Sequence, residues 1–410
     1  MLRAAVIAAC LASRGSGGGN TLRHYGYYFG PNLNELDRVS DHSNVALVEP
    51  GGEVLLKTLS HPAGAPAIGN CTDIYDMCAI PHMAAEAIAN LTDLAKVNMK
   101  AVLLVQTVFM ADVKQLLPIH QQRWDLFWSL VSPHAANILT IYPEDEPPQT
   151  WPPTGSYAEM VAYIKQSPPA VPPLAAVLSG GRVKGIECSM NVSACAPPWP
   201  YMKERGPYEL PPEIDWIGFD QYNCWDKGSW LGASEQEFAC WDNRTVPHDL
   251  EVVDRYVQKR GGKMIVIPDA LSGWNQSFVG YKNASAQQTK LMWAKRYLAF
   301  CQANPRCVAM LPFLWSTVAG AAAKQQDACC WGLKDMPEVL LPGMKQIGAA
   351  IVHGTVDELL RQPGYLKSDD SPLRSVHASD DVLFVAPHHG GSDTGLGSAE
   401  EPLRTLHAAR

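Results

Sequence analysis

Three carboxylates stand side by side in Ile141-Tyr-Pro-Glu-Asp-Glu-Pro147, directly after the apolar residues Ile138, Leu139 and Ile141. The apolar run reads as a short buried strand. Pro147 and Pro148 stop the chain from continuing as strand or turning at once into helix. Glu144, Asp145 and Glu146 are therefore crowded at a strand end, where mutual repulsion raises the pKa of at least one of them. A protonated acid beside an ionised one suits acetal cleavage: one group protonates the departing oxygen while the other faces the positive charge that develops on carbon. The plainer reading of the same triplet is an acidic surface turn.

Short apolar, β-rich runs recur along the chain and predict strands at 25–29, 44–49, 101–108, 138–142, 174–179, 214–220, 264–268 and 308–315. Helix-period segments separate many of them, at 83–97, 111–130, 157–166, 249–259 and 286–303, with one more at 337–352. Strands alternating with helices imply a parallel sheet, and eight repeats imply a closed (β/α)8 barrel. An open doubly wound sheet would carry a glycine-rich phosphate loop after its first strand. Tyr28-Phe-Gly-Pro31 supplies none, so no nucleotide cofactor is expected.

Irregular inserts are expected at about 50–80, 180–213 and 221–247, lengths usual for functional loops. The expected organisation is a leader over 1–20, a barrel over 21–355, and a polar, disordered tail over 356–410.

A barrel gathers strand ends from distant sequence positions onto one rim, where active sites lie. Candidate substrate-binding residues there are Tyr27, Glu49, Gln106, Glu144, Asp220, Tyr222, Trp225, Trp274 and Trp315. Asp269, ending strand seven, faces Glu146 across the expected cleft. A helix N-cap is an equally good account of Asp269, and a loop brace of Asp220. Trp151, Trp225, Trp230, Trp241, Trp274, Trp315 and Trp331 all fall on or after strand ends. Aromatic rings suit the C–H faces of sugars, while Asp, Asn, Gln and Tyr suit their hydroxyls.

Composition narrows the setting. The net charge of -8 gives no footprint for nucleic acid, and no run of 18 apolar residues provides a membrane span. Arg3 followed by apolar residues 4–12 reads as a short secretory signal. Asn-X-Ser/Thr sequons begin at Asn70, Asn90, Asn191, Asn243, Asn275 and Asn283, where chance gives about one or two. Of the 11 cysteines, Cys10 leaves with the signal. The rest cluster as local pairs, Cys71/Cys78, Cys188/Cys195, Cys224/Cys240 and Cys301/Cys307, with Cys329 and Cys330 adjacent and open in connectivity. No spacing of His and Cys argues for a metal.

The strand-four end Asp145-Glu146-Pro147, with Tyr and Trp after strand six and Trp at strand eight, resembles the clan A retaining glycoside hydrolases. That resemblance implies Glu146 as acid/base, with Asp145 where the clan has Asn. It also implies a strand-seven nucleophile, for which Asp269 stands in place of Glu. The adjacent Asp145-Glu146 pair also resembles hexosaminidase-type barrels. There the Glu is the acid, and the Asp orients an N-acetyl group of the substrate that acts as nucleophile. Both imply an enzyme acting on oligo- or polysaccharide without a cofactor, and the clan A pattern favours the covalent route. The signal, sequons and local cysteine pairs imply that it is secreted or lies in the secretory-pathway lumen. A catalytically silent carbohydrate-binding barrel and a structural glycoprotein are the alternatives. Nothing in the chain speaks to oligomeric state.

Overall fold

The computed structural model describes residues 21–28, 33–51, 71, 75–112, 115–145, 147, 155–191, 208–220, 245–270, 284–313, 315 and 332–366. Eight parallel strands make one sheet: β1 His24–Tyr27, β2 Val45–Val48, β3 Lys100–Leu104, β4 Ile138–Tyr142, β5 Ala175–Ser179, β6 Trp216–Asp220, β7 Lys263–Ile267 and β8 Cys307–Met310. Their order is β4-β3-β2-β1-β8-β7-β6-β5. The two ends meet through a parallel bridge between Ile141 and Leu174, where the Ile141 N–H donates to Pro173 O at 2.9 Å. The sheet is thus a nearly closed (β/α)8 barrel, as the strand count predicts.

Helices follow the strands: α1 Ile80–Lys96, α2 His120–Val131, α3 Gly155–Lys165, α4 Gly180–Met190, α5 Thr245–Arg260, α6 Ala284–Ala303 and α7 Leu340–His353, with a short α8, Val356–Arg361. Alternate residues of the strands fill the interior. Val102 and Leu104 of β3, Ala175 and Val177 of β5, and Ile265 and Ile267 of β7 meet Val45, Tyr142 and Leu311 in one buried cluster. The intervening residues, such as Leu103 and Val266, are equally buried. They face the helices, which is why parallel strands read as continuous apolar runs rather than alternating ones. Helix α7 lies so close to β1 that a Cβ on Gly348 would stand 2.5 Å from the Tyr25 ring. Only glycine permits that approach.

Several elements depart from the sequence expectation. The apolar run after β3 does not stay extended to residue 108. Gln106–Phe109 forms one helical turn, and a small antiparallel pair, Met110–Asp112 with Gln115–Leu116, precedes α2. Arg123, fully buried on α2, explains the change. Its Nε donates to Val108 O at 2.9 Å, and one terminal nitrogen donates to Thr107 O at 3.2 Å. Those carbonyls are thereby satisfied without a strand partner. The insert expected at 180–213 begins instead with α4, whose Val183 and Ile186 bury at helical spacing despite the glycine-rich start. The ordered body also runs past residue 355. Val356 and Leu359 of α8 are buried, and Lys295 sits 4.2 Å from the Tyr365 ring.

Cys71–Cys78 and Cys301–Cys307 are disulfides, as their local spacing suggests. Cys188 is also disulfide-bonded, with its partner outside the described residues. Cys195, Cys224, Cys240, Cys329 and Cys330 lie outside them too. Of the sequon asparagines, Asn90 is half-buried on α1 and Asn191 is exposed just after α4, while Asn70, Asn243, Asn275 and Asn283 lie outside the described residues. Among those residues no helix is long and apolar enough to cross a membrane.

Candidate active site

The C-terminal ends of β1 to β4 bring together Tyr28, Glu49, Gln106, Tyr142 and Asp145. Tyr142 ends β4 pointing into the barrel, with its hydroxyl donating to Asp145 Oδ1 at 2.9 Å. The Tyr28 hydroxyl reaches both the same oxygen and Tyr142 Oη, 2.6 Å away, and its one proton serves one of these acceptors at a time. From β3, Gln106 Oε1 accepts the Asp145 backbone N–H at 3.2 Å. Thr107 Oγ1 donates to Pro50 O at 2.7 Å, which ties the end of β2 to that of β3. Phe313 of the β8 end packs beside Tyr28, ring centroids 6.1 Å apart, and stays half-exposed. A ring, a held carboxylate and a carboxamide therefore share one rim.

Glu49 follows Val45 and Leu47 at the two-residue period of a strand, on the face that packs against the interior cluster. Its pKa is pushed up to about 7, first by burial, then by the charge of Asp145 and that of Glu86 on α1. Glu49 thus holds its proton near neutral pH while the charge of Asp145 acts on it. This is the divided pair of carboxyl groups that acid/base chemistry uses.

Glu144 has a different setting. It is 1% exposed, its pKa is pushed up to about 8, and burial outweighs the Asp145 charge as the cause. Its charged counterpart is Arg182 of α4, and it in turn acts on Tyr157 of α3 and on Tyr208. As placed, Glu144 is a buried acid that faces Arg182. Its linkage to stability follows directly. A folded-state pKa near 8 against an ordinary 4.5 favours the fold fully below pH 4.5, and that contribution is lost as pH rises through 8. Glu144→Gln should leave the melting temperature unchanged at pH 4. At pH 9 it should stabilise by on the order of 3 kcal/mol. A thermal melt series from pH 4 to 9 reads both ends, and parallel curves for the two proteins would contradict the assignment.

Tyr27 and Trp315, both expected to meet substrate, pack against one another in the wall, ring centroids 4.8 Å apart, at 1% and 2% exposure. The Tyr27 hydroxyl lies 2.8 Å from His42 Nε2, and Trp315 Nε1 donates to Glu35 at 3.2 Å. Burial lowers the His42 pKa, and its other ring nitrogen faces Asp41. Asp220 is buried at the end of β6. Asp269, after β7, forms an ion pair with Lys290 of α6 at 2.6 Å, the side chains 5% and 8% exposed. Glu146, Trp151, Tyr222, Trp225, Trp230, Trp241, Trp274 and Trp331 lie outside the described residues, though Asp145 and Pro147 flank Glu146 closely.

Tyr28, Tyr142 and Phe313 are the rim residues that sequence reasoning did not single out. Strand parity was the available signal. Tyr25 and Tyr27 alternate on one face of β1, which leaves Tyr28 for the interior. Among the described residues no group of three or more His, Cys, Asp or Glu side chains could hold a metal ion.

No protein-family profile and no curated protein matches the chain. Among solved structures it is similar to an exo-β-1,4-mannosidase from an Opitutaceae bacterium, at 11% identity and TM-score 0.48, over 83% of this chain and 63% of that one. A β-glucuronidase from Ruminococcus gnavus matches at 10% identity and TM-score 0.47, over 80% and 49%. Xylanase 10B from Thermotoga maritima matches at 10% and 0.44, over 83% and 97%. At such identities and scores none of the three bears on the chemistry of this chain.

Proposed function

We propose that the chain is a secreted O-glycoside hydrolase acting on oligo- or polysaccharide at the C-terminal rim of the barrel, with Glu146 as general acid. The observation that carries this reading is the carboxylate Asp145, held against a linked pair of tyrosine hydroxyls beside an acid, Glu49, that keeps its proton to about pH 7. Glu146 follows Asp145 directly in the sequence. It protonates the departing glycosidic oxygen as the C–O bond breaks, and the ionised Asp145 faces the developing positive charge. Phe313, partly exposed beside Tyr28, offers an apolar surface to a sugar ring. Disulfides support an oxidising compartment.

Two retaining routes are open to such a site. The covalent route needs Asp269 as nucleophile, and its pairing with Lys290 counts against it. The assisted route uses an acetamido group on the substrate, oriented by Asp145, and needs nothing from Asp269. The same ion pair also favours a second reading, a carbohydrate-binding barrel without turnover. Reducing-end release from a panel of plain and 2-acetamido oligosaccharides tests the proposal. Release from at least one class supports hydrolysis, and release from 2-acetamido sugars alone supports the assisted route. Saturable sugar binding with no release would replace the enzyme reading with the silent one.

A further inference from the structure

Asp145 is restrained from three strand ends. Tyr142 Oη lies 2.9 Å from Oδ1, Tyr28 Oη reaches the same atom and also Tyr142 Oη at 2.6 Å, and Gln106 takes the backbone N–H at 3.2 Å. Both tyrosines are almost wholly buried, so their hydroxyls are fixed by packing as well as by hydrogen bonding. They reach the carboxylate from β4 and from the residue following β1, strands that are not neighbours in the sheet. A contact across that distance is not a by-product of strand pairing. It depends on two tyrosines at interior-facing positions beside a carboxylate that has left the strand.

We propose that Tyr28 and Tyr142 are positioning residues that hold Asp145 ionised and oriented at the barrel mouth. Their part in glycoside cleavage rests on the function proposed above, but the clamp itself does not. Donation from this linked hydroxyl pair to one carboxylate oxygen, directly or with one tyrosine relaying through the other, favours the charged form over the protonated one. The charge so held acts outward, contributing to the raised pKa of both Glu49 and Glu144. Removing either hydroxyl should therefore raise the pKa of Asp145 and let that of Glu49 fall.

The test is carboxyl-carbon NMR of the full chain labelled with ¹³C at aspartate and glutamate side-chain carboxyls. The wild type is titrated beside Tyr28→Phe, Tyr142→Phe and the double variant, and Asp145→Asn and Glu49→Gln assign the two signals. Each single variant should shift the Asp145 midpoint upward by roughly one unit, and the double variant further. A merely structural role lowers the melting temperature without moving that midpoint. Should one single variant fail to fold, the other carries the test alone. An unmoved Asp145 midpoint in a folded variant overturns the clamp. Where a hydrolysed glycan is known, each Tyr→Phe change should lower kcat about tenfold and do nothing further in the Asp145→Asn background. Shifted midpoints in a protein that cleaves no glycan would support the clamp while removing the glycosidase reading, so the two failures are distinct.

Discussion

Replacing Glu146 with Gln should lower turnover of natural glycosides by roughly 10²–10⁴-fold, the usual contribution of a positioned general acid. The substitution keeps the shape of the side chain and removes only its proton. The loss should fall on kcat more than on KM, because the proton is delivered in the transition state and not on binding. The melting temperature should hardly change. Steady-state kinetics on a cleaved oligosaccharide, beside a thermal melt, reads both. An unchanged kcat removes Glu146 from the mechanism.

The second large effect concerns Asp269 and Lys290. Their 2.6 Å ion pair is shielded from solvent at both ends. Removing one partner leaves the other charge buried without this counter-ion, a loss of up to about 3–5 kcal/mol. Both Asp269→Asn and Lys290→Met should therefore unfold at clearly lower denaturant than the wild type. The double substitution should recover much of the loss, because it strands no charge. Equilibrium unfolding of the four proteins gives the cycle directly, and additive losses in the double variant would show that the two side chains act separately. The same variants bear on mechanism. If folded Asp269→Asn loses nearly all turnover and azide restores part of it, the covalent route stands. If it turns over normally while Asp145→Asn does not, the assisted route stands.

The barrel could be read from the chain because each strand is a short apolar run buried on both sides, and such runs stand out against helix-period segments. Strand β4 falls at Ile138–Tyr142, where the sequence places it. What could not be read is which rim residue faces which way. Alternation carried past Tyr142 would turn Glu144 inward with it. Pro143 ends the strand, and it is Asp145 that meets Tyr28 and Tyr142, while Glu144 lies among residues of the helical layer. Tyr27, inside the expected strand at 25–29, is a candidate for the substrate. The period of two instead pairs it with Tyr25 against the helices and sends the next residue inward. The turn after β3 was hidden for another reason. Gln106–Phe109 is apolar enough to pass for strand, and only the distant Arg123 makes a helical turn acceptable there. Interactions over that separation leave no local pattern to read.

The central claim is that Glu146 delivers a proton to a leaving glycosidic oxygen at this rim. The most direct measurement is the leaving-group dependence of kcat/KM for wild type and Glu146→Gln, on aryl glycosides running from dinitrophenol to unsubstituted phenol. An acidic phenol departs without help, so the variant should nearly match the wild type at the dinitrophenyl end. It should fall further behind as the leaving group becomes more basic. A loss that is uniform along the series, or a folded wild-type protein that cleaves no glycoside in it, would contradict the account.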